Sequence, residues 1–214
     1  MLRLFALLHR IARRTGERLT PLGTLLGVTA LAAGAFGIDT RRTLGAEAFS
    51  LLACLLLLAW LSSLRLRLPL TVERQLPDTA TVGEPLRYRV RLHNRGERPL
   101  ADLQLRDLLL EPLPDSAQFS RSGHADRRLN PFDRVIGYPR WLRLLRHNRG
   151  ADIAPSMIGP LPPGEAHSLT VDLLPLRRGY LHFRELQVAR PDPLGLCLAR
   201  QRFPAPAPLL VLPR

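Results

Sequence analysis

The sequence predicts a mainly β protein behind a pair of membrane-crossing helices. Three observations predict it: two uncharged runs near the N-terminus, period-two alternation of apolar and polar residues after residue 67, and 20 prolines in 214 residues. Proline is costly inside helices and central strands, so that many argue against a mostly helical soluble domain. The length suits one ordinary domain plus an anchor.

The anchor comes first. Pro21 to Ile38 is 18 residues without a charge, and Ala48 to Leu64 is 17. At about 1.5 Å per residue each run reaches roughly 25–27 Å, which flanking residues extend toward a ~30 Å hydrocarbon core. Backbone polar groups cannot stay open in lipid, so residues 21–66 read as a transmembrane helical hairpin, about 21–38 and 48–64, turning at Asp39–Glu47. Gly23 and Gly27 lie four apart, a spacing that lets a second helix approach closely.

Arg3, Arg10, Arg13, Arg14 and Arg18 precede the first run, and Arg65, Arg67 and Arg74 follow the second. The loop between holds Arg41 and Arg42, offset by Asp39 and Glu47. Positive flanks stay inside, so both termini are expected in the cytoplasm of a bacterial inner membrane. A cleaved signal peptide competes for the first run, with Arg13-Arg14 hinting at a twin-arginine signal. The second run would still anchor the chain. Residues 1–20 form a basic segment in which Leu2, Leu4, Phe5, Leu8 and Ile11 recur at near-helical spacing. It reads as an amphipathic helix on the bilayer surface, with Arg10, Arg13 and Arg14 toward lipid head groups, or simply as a charged flank.

Residues 67–214 read as the β domain. Leu86, Tyr88, Val90 and Leu92 alternate with Arg87, Arg89 and Arg91, which describes a strand with one buried and one wet face. Leu103 and Leu105 repeat the pattern, as do Leu169, Val171 and Leu173. Leu181 and Phe183 set one phase and Leu186 and Val188 the other, which predicts a bulge near Arg184-Glu185. Leu209 to Leu212 is a short apolar run bounded by prolines. Turn signals at 82–85, 93–96, 162–164 and 178–179 separate the strands. Six or seven such strands imply an antiparallel, immunoglobulin-like β-sandwich. Glu111 to Glu165 reads as an irregular, partly helical insertion. A short helix is expected over Tyr138–Arg146, with Pro139 in its first turn. That helix would cover a sheet edge, or lay Trp141 on the membrane surface.

Chemistry is not visible. No His or Cys pair has metal-ligand spacing, and no nucleophile elbow, phosphate loop or dinucleotide fingerprint occurs. Cys54 and Cys197 form no framework. No catalytic, cofactor-binding or metal residue is therefore expected. The formal net charge of +13 raises nucleic acid as a partner. Aromatic residues are too few for stacking platforms, and anionic head groups explain the charge more simply.

Several short motifs occur in a fixed order: Val82-Gly83-Glu84, His93-Asn94, Asn130-Pro131-Phe132-Asp133-Arg134, Tyr138-Pro139-Arg140-Trp141, Leu176-Arg177-Arg178-Gly179-Tyr180, Asp192-Pro193-Leu194-Gly195-Leu196 and Leu209-Leu210-Val211-Leu212-Pro213. In this order, after a membrane hairpin, they resemble the N-terminal part of the domain-of-unknown-function 58 (DUF 58) family. Its members carry two membrane helices, a β-sandwich and a von Willebrand A-like domain; the segments that mark the last do not occur here. The resemblance implies structural roles for Gly83, Glu84, Asn94, Arg177, Arg178, Gly179, Tyr180, Asp192, Pro193 and Gly195. It also implies a MoxR-type AAA+ ATPase and von Willebrand A-domain proteins as partners. The leading functional expectation is a non-enzymatic, membrane-anchored interaction module. The alternatives are an envelope domain on the outer side of the membrane and an unrecognised hydrolase sited in the insertion.

Overall fold

The structure is a computed structural model that describes residues 4–9, 16, 18–36, 43–65, 67–121 and 137–214. Residues 4–9 are helical (α1). Helix α2 spans Pro21–Phe36 and α3 spans Thr43–Arg65. Two short helices follow in the insertion, α4 at Ser116–Arg121 and α5 at Tyr138–His147. The strands are β1 (Leu70–Gln75), β2 (Thr79–Thr81), β3 (Leu86–Asn94), β4 (Leu103–Leu109), β5 (Ala151–Ile153), β6 (Ser156–Ile158), β7 (Ala166–Pro175), β8 (Gly179–Pro191) and β9 (Leu198–Leu212).

Helices α2 and α3 pack side by side in opposite directions, with Gly27 opposite Leu56 and Gly34 opposite Phe49. A Cβ at Gly34 would lie 3.0 Å from the Phe49 ring, so glycine sets the closeness of the pair there. Their outer faces expose Leu25, Val28, Leu31, Leu51, Leu57 and Leu58. Water does not favour an apolar surface of that extent. Leu44–Leu64 of α3 is long and apolar enough to cross a membrane, whereas α2 is a shorter apolar helix. Helix α3 begins five residues before the uncharged run at Ala48, taking Glu47 into its first two turns. A helix can carry a charge near its end, so the absence of charge marked the apolar stretch rather than the helix.

Among the described residues nine strands form two sheets, of order β1-β3-β7-β5 and β2-β9-β8-β4-β6. Their facing sides enclose one core, in which Tyr88, Val90 and Leu92 of β3 and Val171 and Leu173 of β7 meet Leu103, Leu105, Leu186, Val188 and Leu209 of the second sheet. The register between β8 and β9 shifts between Phe183 and Glu185. That bulge lets Phe183 and Leu186 both point inward although they are three positions apart, an odd number. The pairing is antiparallel except for β2, which lies parallel to the end of β9. Strand β9 begins at Leu198, well before the apolar run at Leu209. Its prolines hid this length. Pro204 and Pro208 pair with Glu185 and His182 of β8 in the part of β9 that β2 does not reach, so its side away from β8 is open there and a residue without an N–H is tolerated. Strands β5 and β6 fall inside the stretch read as an insertion, yet each joins a sheet, and Leu161 just beyond them is in the core.

One polar cluster crosses the core. Arg74 of β1 donates from Nε to Asp107 Oδ2 at 2.9 Å and from Nη2 to Oδ1 at 2.6 Å. Its Nη1 donates to the Ala205 carbonyl at 2.6 Å, and Tyr88 Oη donates to Asp107 Oδ2 at 2.8 Å. The guanidinium lies 4.5 Å from the centroid of the Phe183 ring. The two charged side chains are 3% and 0% exposed. Arg74 was expected as a cation flanking the membrane helix; it is instead the interior tie between sheets. Desolvation makes such a pair costly, and bidentate geometry plus the third donor offset that cost. Removing one partner strands the other, so Asp107→Ala is expected to cost about 3–5 kcal/mol. The double change Arg74→Met with Asp107→Leu should cost less than Asp107→Ala alone in denaturant titrations. A larger loss for the double variant would show that the pair stabilises beyond its own mutual satisfaction.

Burial pushes the Tyr88 phenol far above its ordinary value of 10.0, and the Asp107 carboxylate adds to it. A pKa raised in the folded state gives stability that is complete below the unfolded value and lost as pH rises past it. The expected loss is about 1.4 kcal/mol per pH unit above roughly pH 10. Tyr88→Phe should flatten that part of the stability-against-pH curve. Parallel curves for the two proteins would sink the assignment.

Candidate functional site

The family-like motifs fall at three places. Gly83 sits in the β2–β3 turn at φ 77°, where a side chain would be strained. Its N–H donates to the Pro175 carbonyl, and the Glu84 N–H closes the turn on Thr81. Asn94 is fully buried at the end of β3. Its Nδ2 donates toward the carbonyls of Arg98, Leu161 and Pro162, and its Oδ1 accepts from the Gly96 N–H. The side chain thus ties together two loops that backbone bonds between Leu100 and Leu161 and between Gly164 and Asn94 also join.

Asp192-Pro193-Leu194-Gly195 is the second place, and it does more than turn the chain between β8 and β9. Asp192 is buried; its Oδ1 accepts from the Cys197 N–H at 2.6 Å and its Oδ2 from the Leu194 N–H at 3.0 Å. Gly195 takes φ 67° and its N–H donates to the Asp192 carbonyl. The carboxylate so fixes a loop whose carbonyls face outward. Thr20 takes them: its Oγ1 donates to the Gly195 carbonyl at 2.6 Å and its N–H to the Leu196 carbonyl at 3.0 Å. The same Oγ1 accepts from the Gly23 N–H at 3.0 Å, capping α2 ahead of Pro21. One hydroxyl therefore starts the helix and fastens it to the sandwich.

Gly23 completes this joint. A Cβ there would collide with the Leu196 carbonyl oxygen. Its missing side chain admits the sandwich backbone, so the Gly23–Gly27 spacing does not serve one helix–helix face. Ala59 of α3 closes the joint, fully buried with Leu196 and Cys197 against Leu19 and Leu26. Burial pushes the Cys197 thiol up, and the Asp192 carboxylate adds to it, which keeps the thiol protonated and inert. A second tie lies at the same end of the helical pair, where the chain leaves α3. Leu68, three residues past α3, is buried, and its N–H donates to Gln201 Oε1 at 2.7 Å.

The third place is a cleft of about 180 Å³ where β8 begins, lined by Arg177, Arg178, Tyr180, His182, Leu110 and Asn148 among others. Gly179 enters β8 at φ 113°. Arg177 donates to the His147 carbonyl at the end of α5. Tyr180 is 65% exposed and stacks on His182 with ring centroids 6.2 Å apart. Leu110, Leu113 and Leu176 are also exposed.

Trp141, whose helix was expected to cover a sheet edge or to touch the membrane surface, is 1% exposed. Phe5, His9 and Tyr138 enclose it, with ring centroids 6.3, 5.1 and 6.2 Å away. The first turn of α5 is therefore a platform for α1, and the residues α1 leaves outward are Leu4, Leu7 and Leu8. Arg10, Arg13 and Arg14 lie outside the described residues, as does Asn130–Arg134. Among the described residues, no group of three His, Cys, Asp or Glu side chains is placed to hold a metal ion.

No family model matches the sequence, and no curated protein matches it. Solved structures similar to it include a Salmonella alpha-2-macroglobulin mutant, at 16% identity and TM-score 0.36 over 68% of this chain. The match spans only 7% of that macroglobulin. The CARDB domain of a Pyrococcus furiosus protein, in complex with di-metal ions, matches at 15% identity and TM-score 0.36, covering 70% of this chain and 98% of that one. The ASH/PapD-like domain of human CEP192 matches at 15% and 0.35, covering 68% and 87%. The sandwich architecture rests on the strand pairing above rather than on these likenesses.

Asp192→Ala should release the Cys197 and Leu194 N–H groups and loosen the joint, at a cost of about 1–3 kcal/mol. Gly23→Val should separate α2 from the sandwich while leaving the sheets intact. Paired spin labels on α2 and β9 would report a broadened distance for both variants; an unchanged distribution would mean that the joint is held elsewhere.

Proposed function

We propose that the chain is a two-pass, membrane-anchored interaction module whose sandwich stands on the cytoplasmic side of a bacterial inner membrane and docks protein partners. The observation that carries this reading is the joint itself. A domain fastened to apolar helices by Thr20, Gly23 and the Asp192 turn is built to hold a fixed pose against a bilayer. The arginine-rich flanks supply the orientation, because positive segments remain inside. The outward leucines of α1 fit a helix lying in the head-group layer.

The surface around Tyr180 is the one we assign to a partner. An exposed tyrosine that shares a cleft with Arg177, Arg178 and the exposed Leu110 has the composition of an interface hot spot. The DUF 58 resemblance suggests a MoxR-type AAA+ ATPase or von Willebrand A-domain proteins there, as non-enzymatic docking. Reporter fusions to Arg214, one active only inside the cytoplasm and one only outside, decide the orientation. A cytoplasmic signal is expected, and an external one would replace the reading with an envelope module. Co-purification in mild detergent should recover an ATPase with the native chain and lose it with Tyr180→Ala plus Arg178→Glu. Recovery unaffected by the double variant would remove this surface from the proposal.

A further inference from the structure

A larger cleft, of about 620 Å³, lies where the start of α2 meets the outer face of the second sheet. Its floor follows from strand alternation. Gln104 and Arg106 of β4 point to the same outer face, Asp102 lies just before them, and Met157 pairs beside Gln104 on β6. The roof is the approach to α2 and its first turn, with Leu19, Thr20, Pro21 and Thr24.

Two facts mark this cleft as a site. Arg106 Nε is buried and has no hydrogen-bond partner. Gln187 is directly opposite Arg106 on β8 and also leaves its buried Oε1 unbonded, so the two do not satisfy each other. A buried guanidinium nitrogen without a partner is costly, and an anion is the ligand that removes the cost. Asp102 at the other end of the floor holds φ 56°, an uncommon conformation for a residue with a side chain, and brings a carboxylate to the same space. One guanidinium and one carboxylate in a cleft that is otherwise largely apolar call for a ligand with separated positive and negative groups and a hydrocarbon body.

We propose that this cleft binds the head group of an aminophospholipid, with the phosphate on Arg106, the primary ammonium on Asp102 and the acyl chains leaving along α2. The proposal rests on the reading that α2 and α3 lie in a bilayer, because that puts the first turn of α2 at head-group depth.

The test uses the full chain in a neutral maltoside detergent, with native mass spectrometry counting retained lipid. Short-chain phosphatidylethanolamine should be retained in preference to phosphatidylglycerol. Arg106→Ala should weaken that retention about tenfold or more, Gln104→Trp should fill the cleft and abolish it, and Asp102→Asn should erase the preference. Wild-type preference for phosphatidylglycerol, or retention unchanged in both Arg106→Ala and Gln104→Trp, overturns the proposal. Carbonate extraction of native membranes reports the anchoring independently. An extractable protein that still binds glycerophosphoethanolamine in solution would overturn the membrane reading and keep the site. An unextractable protein that retains no lipid would do the reverse.

Discussion

Both sheets close on one guanidinium. Arg74 leaves a strand of the first sheet, grips Asp107 and the Ala205 carbonyl in the second, and lies against Phe183, while Tyr88 returns a hydrogen bond from the first sheet. Apolar contacts alone would allow the sheets to slide by a residue pair at little cost, since leucine faces leucine almost anywhere in this core. A bidentate ion pair has one geometry, and a slip of one residue would leave two charges buried and unpaired. The remainder of the sandwich, including the bulge at Phe183–Glu185 that seats the ring under the guanidinium, is arranged around that constraint.

The same logic recurs at the joint with the helices. There the fixed element is the Asp192 carboxylate, which organises a loop so that its free carbonyls present themselves to Thr20. Neither cluster has the arrangement of a nucleophile, a base and a place for a substrate atom. Each is an anion holding donors that would otherwise be stranded. The polar chemistry of these two clusters sets positions.

Much of the sandwich was legible because β3, β4 and β7 alternate, and a change of phase within β8 located the bulge. What escaped had identifiable causes. Strand β9 was hidden by Pro204, Pro206 and Pro208, which argue against a strand unless it lies on an edge. Strands β5 and β6 are too short for periodicity. Arg74 was read as a cation flanking the membrane helix and Asp107 was not singled out, although Leu70, Val72 and Arg74 share a phase, as do Leu103, Leu105 and Asp107. A charge standing in the apolar phase of two different strands was the available signal. The Asp192 turn was legible as a turn, but its hold on Thr20, 172 residues away in sequence, was not, because no local pattern records a distant acceptor. Trp141 pointed to the bilayer by residue type alone, and the aromatic cluster with Phe5 and His9 needed the fold to appear.

The helical pair meets the sandwich at two ends of the chain's passage, through Thr20 before α2 and through Leu68 after α3. Two attachments, one before α2 and one after α3, remove the swivel that a single tether leaves. A load applied at the Tyr180 end of the sandwich would then become a torque on α2 and α3, as a handle turns a spindle, and a motor acting on that surface would work against the resistance of whatever surrounds the helices.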